Sequence, residues 1–144
     1  MTRERASSKY RWLHCARRAP WTSCPIPLRC LIVDDSEEFL ASASRLLESQ
    51  GIDVVGSATS GEQAVELAVE LRPDIALVDI ELADEDGIAL AHELERRAPS
   101  TQVVLISAYD REDLGELITE SPAAGFIPKT ALGAKAIAGL LAEA

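Results

Sequence analysis

LIVDD, residues 31–35, sets an unbroken apolar run directly against two adjacent carboxylates, Asp34 and Asp35. A run of Val, Ile and Leu without polar alternation reads as a strand buried on both faces, the pattern of a parallel sheet. Three further runs end in the same way. Ile75-Ala76-Leu77-Val78 leads into Asp79, Val103-Val104-Leu105-Ile106 into Ser107, and Phe126-Ile127-Pro128 into Lys129. Ligands of open parallel sheets bind outside the carboxyl ends of the strands. Three carboxylates, a hydroxyl and an ammonium are therefore expected to meet at one sheet edge.

Outward from these runs, strand and helix patterns alternate, which predicts βαβ units. Strands are expected over about 28–33, 54–58, 75–78, 102–106 and 125–127. The first helix, over about 37–49, is expected to turn Phe39, Ala43, Leu46 and Leu47 inward, with Gly51 as its stop. Ser60 and Gln63 form a capping box for the second helix, whose inward stripe is Ala64, Leu67, Ala68 and Leu71 and which Pro73 ends. An acid-rich loop containing Gly87 precedes the third helix, with Ile88, Ala91 and Leu94 inward. A fourth helix is expected over about 111–120 and a fifth from about 130, with Leu132, Ala136, Ile137, Leu140 and Leu141 facing the core. Right-handed crossovers put helices on both faces, so an α/β doubly wound five-stranded parallel sheet of order 2-1-3-4-5 is expected.

With 144 residues, 47% of them hydrophobic, the chain suits one core. Charge divides it. Residues 1–30 carry seven Lys/Arg and one Glu, whereas residues 31–144 carry seven Lys/Arg and twenty-three Asp/Glu. The acidic body argues against nucleic-acid binding by the folded part, and no stretch reaches the roughly 18 apolar residues of a membrane span. Residues 1–27 mix Arg3, Arg5, Lys9, Arg11, Arg17 and Arg18 with Tyr10, Trp12 and Trp21 and show no periodicity. They read as a disordered basic tail or an over-long start to the reading frame, with a membrane-surface or nucleic-acid contact as the alternative. No apolar stretch of about 7–15 residues follows Arg17-Arg18, so a secretory signal is not read and a cytoplasmic location is expected. The domain is assigned to 28–144. Cys15, Cys24, Cys30, His14 and His92 match no metal-ligand spacing; Cys30 is expected in the core and His92 on a solvated helix face.

Asp34, Asp35 and Asp79 would repel one another if unscreened, and a hard divalent cation such as Mg²⁺ relieves this with oxygen ligands. An aspartate can attack phosphorus to form an aspartyl phosphate, a transfer helped by Mg²⁺, an ammonium (Lys129) and a hydroxyl (Ser107). Each strand end alone is consistent with ordinary turn chemistry. The ordered set of acid pair, acid, hydroxyl and lysine is not.

These motifs, LIVDD (31–35), ALVDIEL (76–82) with Asp86-Gly87, VLISA (104–108) and GFIPK (125–129), resemble the receiver domain of two-component response regulators over residues 28–144. The resemblance implies a flavodoxin-like (βα)5 fold. It implies that Asp79 accepts a phosphoryl group from a histidine kinase or histidine phosphotransfer protein. Mg²⁺ would be held by Asp34 or Asp35, Asp79 and the backbone carbonyl of Glu81, the other acid of the pair acting partly through water. Ser107 would bond the phosphoryl group, Lys129 would pair with it, and Phe126 matches the family's aromatic switch position. Signal would leave through the fourth helix, fifth strand and fifth helix, toward an unidentified protein or a second copy. The chain would act on its own phosphoryl state rather than as an enzyme on another substrate. Where Ala83 and Thr130 stand, the family more often has proline. The Phe-Ile-Pro-Lys-x-x-Leu form resembles receivers attached to helix-turn-helix outputs, and a stand-alone receiver is expected here.

Two other readings differ in class. An aspartate-nucleophile phosphohydrolase would carry Asp-x-Asp after the first strand, whereas Asp79-Ile80-Glu81 follows the third. A phosphorylation-independent interaction module would usually have lost the acid pair, the acceptor or the lysine, all of which are present.

Overall fold

The computed structural model describes residues 28–82, 85–108 and 121–143. Five strands form one parallel sheet: β1 (Arg29–Val33), β2 (Asp53–Ala58), β3 (Ile75–Asp79), β4 (Gln102–Ser107) and β5 (Gly125–Pro128), in the order β2-β1-β3-β4-β5. The predicted order is the observed one. Register is in step across the centre, with Val33 beside Val78 and Asp79 beside Ile106, and Ser107 beside Pro128 at the edge. The four chemistry-bearing strand ends therefore finish level.

The apolar runs are continuous because alternate residues serve different cores. Leu31, Val33, Ala76, Val78, Val103, Leu105 and Phe126 face α2 (Gly61–Leu71) and α3 (Gly87–Arg97). Cys30, Ile32, Ile75, Leu77, Val104, Ile106 and Ile127 face α1 (Glu37–Ser49) and the C-terminal helix, Ala134–Glu143. Burial, and secondarily the charge of Asp74, pushes the Cys30 thiol far above its ordinary range, so it is an inert core group. His92 is exposed, as expected.

Helix starts follow the capping residues. Ser36 Oγ accepts the Phe39 amide, Ser60 Oγ the Gln63 amide and Asp86 Oδ1 the Ile88 amide. The Gln63 side chain returns to the Thr59 amide rather than that of the cap residue, so the predicted box closes one residue early. α2 ends at Leu71 with Arg72 in the left-handed region at φ 49° before Pro73.

Four details depart from the sequence expectation. The inward residues of α1 are Leu40, Ala43 and Leu47, while Leu46 is 40% exposed and Phe39 only half-buried. Phe39 sits in the first turn, where the helix is still leaving the sheet edge. On α3 Leu90 is buried where Ile88 is half-buried, because Gly87 is itself the first helical residue. The acid-rich loop carries a two-residue antiparallel ladder, Glu81–Leu82 with Glu85–Asp86. Finally, Lys129–Ala131 form a 3₁₀ turn, so the last helix begins at Ala134 and not near 130. The tail, Ala83 and the helix expected over 111–120 lie outside the described residues.

Candidate functional site

Asp34 is the first residue beyond β1, its amide donating to Ala58 O of β2 at 3.0 Å, and it is fully buried. Its Oδ1 accepts the Ser36 amide at 2.8 Å, an Asx turn that leads the chain into α1. Asp35 beside it is exposed. Asp79 ends β3, 3% exposed, and Oδ1 accepts the Glu81 amide at 3.0 Å. One carboxylate oxygen from each of Asp34, Asp35 and Asp79 lies within 4.8 Å of the others. The predicted acid cluster is thus assembled by the folded chain.

Lys129 follows β5 and reaches across the edge. Its Nζ stands 2.6 Å from Asp34 Oδ2 and 3.3 Å from Asp79 Oδ2. The Asp34 contact is close but poorly directed, so Oδ2 is paired by charge and has no aligned hydrogen bond. The ammonium also lies 4.5 Å from the centroid of the Phe39 ring. Ser107, buried at the end of β4, places Oγ 3.5 Å from Glu81 Oε1, the outer limit for a hydrogen bond. Ser107 therefore joins the cluster through the residue whose amide already holds Asp79. Phe126 is 7% exposed and packed in the core on the α2–α3 side, so its ring already points inward.

The loop beyond Asp79 is tightly fixed. The Ile80 amide donates to Ile106 O and the Gly87 amide to Ile80 O, each at 3.0 Å. A Cβ on Gly87 would stand 2.2 Å from Asp79 O and 2.6 Å from Ile80 Cα, so only glycine allows α3 to start against the backbone of Asp79. Glu85 binds the Gly61 amide at the start of α2 with both carboxylate oxygens, at 3.1 and 3.0 Å.

Burial pushes the Asp79 carboxyl above its ordinary range. The Glu81 amide and Lys129 pull it down, and the charge of Asp34 pushes it up again. For Lys129, burial disfavours the ammonium, but the ion pairs with Asp34 and Asp79 outweigh this and hold it above the usual lysine range. The site is thus three acids against one cation. A buried carboxylate oxygen without an aligned hydrogen bond, in an all-oxygen cluster, fits a hard divalent cation.

The structure brings Asp34, Asp35, Asp79, Ser107 and Lys129 to one edge, as the sequence led one to expect, and adds the ring of Phe39, which packs partly on the core as expected and also borders Lys129. The available signal was position: an aromatic in the first turn of the helix that leaves the acid pair.

Comparison with known proteins agrees with this geometry. The family model of the response regulator receiver domain matches residues 30–138. A protein-glutamate methylesterase/protein-glutamine glutaminase from Alkalilimnicola ehrlichii is 46% identical over 107 residues, covering 71% of this chain and 27% of that protein. The response regulator protein VraR from Staphylococcus saprophyticus is 34% identical, covering 73% of this chain and 51% of that protein. The chain therefore spans about half or less of the length of these curated relatives. Among solved structures, the signal receiver domain of the putative response regulator NarL from Mycobacterium tuberculosis is 31% identical with a TM-score of 0.71, covering 81% of this chain and 95% of that one. A CheX-CheY-BeF3-Mg²⁺ complex from Borrelia burgdorferi is 28% identical with a TM-score of 0.69, covering 82% of this chain and 89% of that one. With the strand order and the acid edge, these likenesses identify the chain as a member of the response regulator receiver domain family.

Proposed function

We propose that Asp79 is the phosphoacceptor of this receiver, taking its phosphoryl group from a histidine kinase or histidine phosphotransfer protein. In the transfer a bond forms between an Asp79 carboxylate oxygen and phosphorus while the P–N bond to the donor imidazole breaks. The electron pair departs on the imidazole nitrogen. The observation that carries this reading is the nearly buried Asp79 at the end of a central strand, flanked by two acids and by Lys129 at 3.3 Å. Asp79 Oδ1 is held by the Glu81 amide, and Oδ2 faces the ammonium. The Lys129 charge is in place to offset the negative charge on a transferred phosphoryl oxygen.

Asp34, Asp35, Asp79 and the Glu81 backbone carbonyl are the proposed holders of Mg²⁺; the closeness of the three carboxylates supports the choice of residues, and the presence of Mg²⁺ in a solved relative supports the choice of ion. When bound, Mg²⁺ supplies charge neutralisation at the phosphoryl oxygens. Ser107 is the proposed hydroxyl partner of the phosphoryl group. Its movement would free Phe126 to repack, and since that ring is already buried, the switch is a change of packing partners rather than a burial. Output would pass through the face around β5 and the C-terminal helix to a downstream protein or a second copy. The protein works in the cytoplasm and acts on its own phosphoryl state only. Among the described residues no helix is long and apolar enough to cross a membrane.

The test is acetyl phosphate with Mg²⁺ followed by intact mass. One phosphoryl group is expected, released by hydroxylamine as an acyl phosphate is, and none in Asp79→Asn, whose amide is not a competent nucleophile. Equal labelling of the Asn variant would overturn the assignment.

A further inference from the structure

A closed chain of contacts links the buried acid of the first strand end to the lysine of the last. Asp34 Oδ1 accepts the Ser36 amide, Ser36 Oγ accepts the Phe39 amide at 3.2 Å, and the Phe39 ring faces Lys129 Nζ at 4.5 Å. Lys129 Nζ returns to Asp34 Oδ2 at 2.6 Å. The turn that orients Asp34 therefore also aims the Phe39 ring. Half-buried, Phe39 packs only partly on the α1-side core, and its ring borders the site.

We propose that Phe39 is a positioning residue for phosphoryl transfer, its ring holding the Lys129 ammonium over the strand-end cluster. This rests on Asp79 being the phosphoacceptor. The physical argument is what each partner of Lys129 can keep doing. Asp34 and Asp79 both belong to the acid cluster, so a cation bound there shares their charge and weakens their hold on the ammonium. The attacking oxygen of Asp79 is also committed once a phosphoryl group is on it. The ring is neutral, is no ligand for a hard cation, and attracts an ammonium through its negative face regardless of the state of the acids. It keeps the ammonium at the edge rather than letting a flexible four-carbon stem carry it to solvent, which is the preorganisation that stabilising transferred charge requires.

The test uses the full chain, isotopically labelled, first without metal. In the wild type the ring current of Phe39 shifts the Lys129 Hε protons upfield of those of exposed Lys135. Phe39→Tyr keeps that shift; Phe39→Leu and Phe39→Met, which preserve apolar bulk, abolish it. With Mg²⁺ and acetyl phosphate, initial labelling is expected to slow roughly three- to tenfold in the Leu and Met variants, and by less than about twofold in the Tyr variant. Thermal melts confirm that the variants being compared are folded, and Met serves if Leu is not. An unshifted Lys129 in the wild type, wild-type rates in Leu and Met, or a Tyr variant as slow as they are would overturn the proposal. Labelling that survives Asp79→Asn would instead overturn the phosphoacceptor reading, leaving the ring-shift result intact.

Discussion

The two ends of the same sheet hold carboxylates in opposite circumstances, half-buried Asp74 at one and buried Asp34 and Asp79 at the other. At the amino end, Asp74 Oδ2 accepts the Arg29 amide at 2.9 Å, and the Asp74 amide and carbonyl bond to Arg29 and Gln102. Thr101 Oγ1 donates to Pro73 O at 2.8 Å, and the Arg29 guanidinium donates to Arg72 O. Each acceptor has its donor, and the groups stitch neighbouring strands together. At the carboxyl end, three acids crowd one lysine and Asp34 Oδ2 lacks an aligned hydrogen bond. Burial raises the carboxyl of both Asp74 and Asp79, but the charge of another acid adds to it only at Asp79. One end is built for cohesion; the other keeps an electrostatic tension that a bound cation can relieve.

The largest effect is expected from Gly87→Ala, which forces a side chain into the backbone of Asp79 and Ile80. Overpacking against backbone that cannot swing aside should cost about 3 kcal/mol, read as a lowered denaturation midpoint, and displace Asp79. A melt like that of the wild type would mean that α3 is not pinned to the strand end.

Charge removal sharpens the contrast. At Mg²⁺ ten times its dissociation constant, the wild type and Asp74→Asn should each gain about 1.4 kcal/mol of stability, and Asp79→Asn less than half of that. Without metal, Asp79→Asn should melt higher than the wild type at neutral pH. The sign follows from the raised carboxyl: the folded protein penalises its ionised form, and the penalty disappears as pH falls through the raised value toward the ordinary 3.8. The advantage of the Asn variant should therefore shrink on acidification. Equal Mg²⁺ stabilisation of both variants would contradict the division between the two ends.

Thr101→Val tests the stitched end. Losing the buried bond to Pro73 O should cost about 1 kcal/mol by chemical denaturation while leaving acetyl phosphate labelling unchanged. The smallest effect is expected from deleting residues 1–26, which precede β1: a change under about 0.5 kcal/mol in stability and none in labelling. A larger loss would show that Trp12 or Trp21 packs on the domain.

How much was legible follows from the range of each signal. LIVDD and its three counterparts carried strand, burial and strand-end chemistry together, because a parallel sheet brings like ends to one edge without further information. Ser60 was an equally local signal. The approach of the Phe39 ring to Lys129 was not legible: helical periodicity counts Phe39 as apolar, and only the path of Lys129 from the far end of the chain shows what its ring faces. The same holds for Glu85 on the start of α2, a contact across 24 residues, and for the ladder at Glu81–Leu82, too short for any period. The closeness of Gly87 to Asp79 O needed coordinates, although a glycine after an acid-rich loop gave a hint.

The central claim is that Asp79, and no other acid at this edge, carries the phosphoryl group. The most direct measurement is borohydride reduction of the acetyl phosphate-treated protein with Mg²⁺, followed by peptide sequencing. Reduction converts an aspartyl phosphate to homoserine at the residue that bore it. Homoserine at position 79 alone is expected, absent when Mg²⁺ is withheld; conversion at position 34, 35 or 74, or none at 79, would contradict the account.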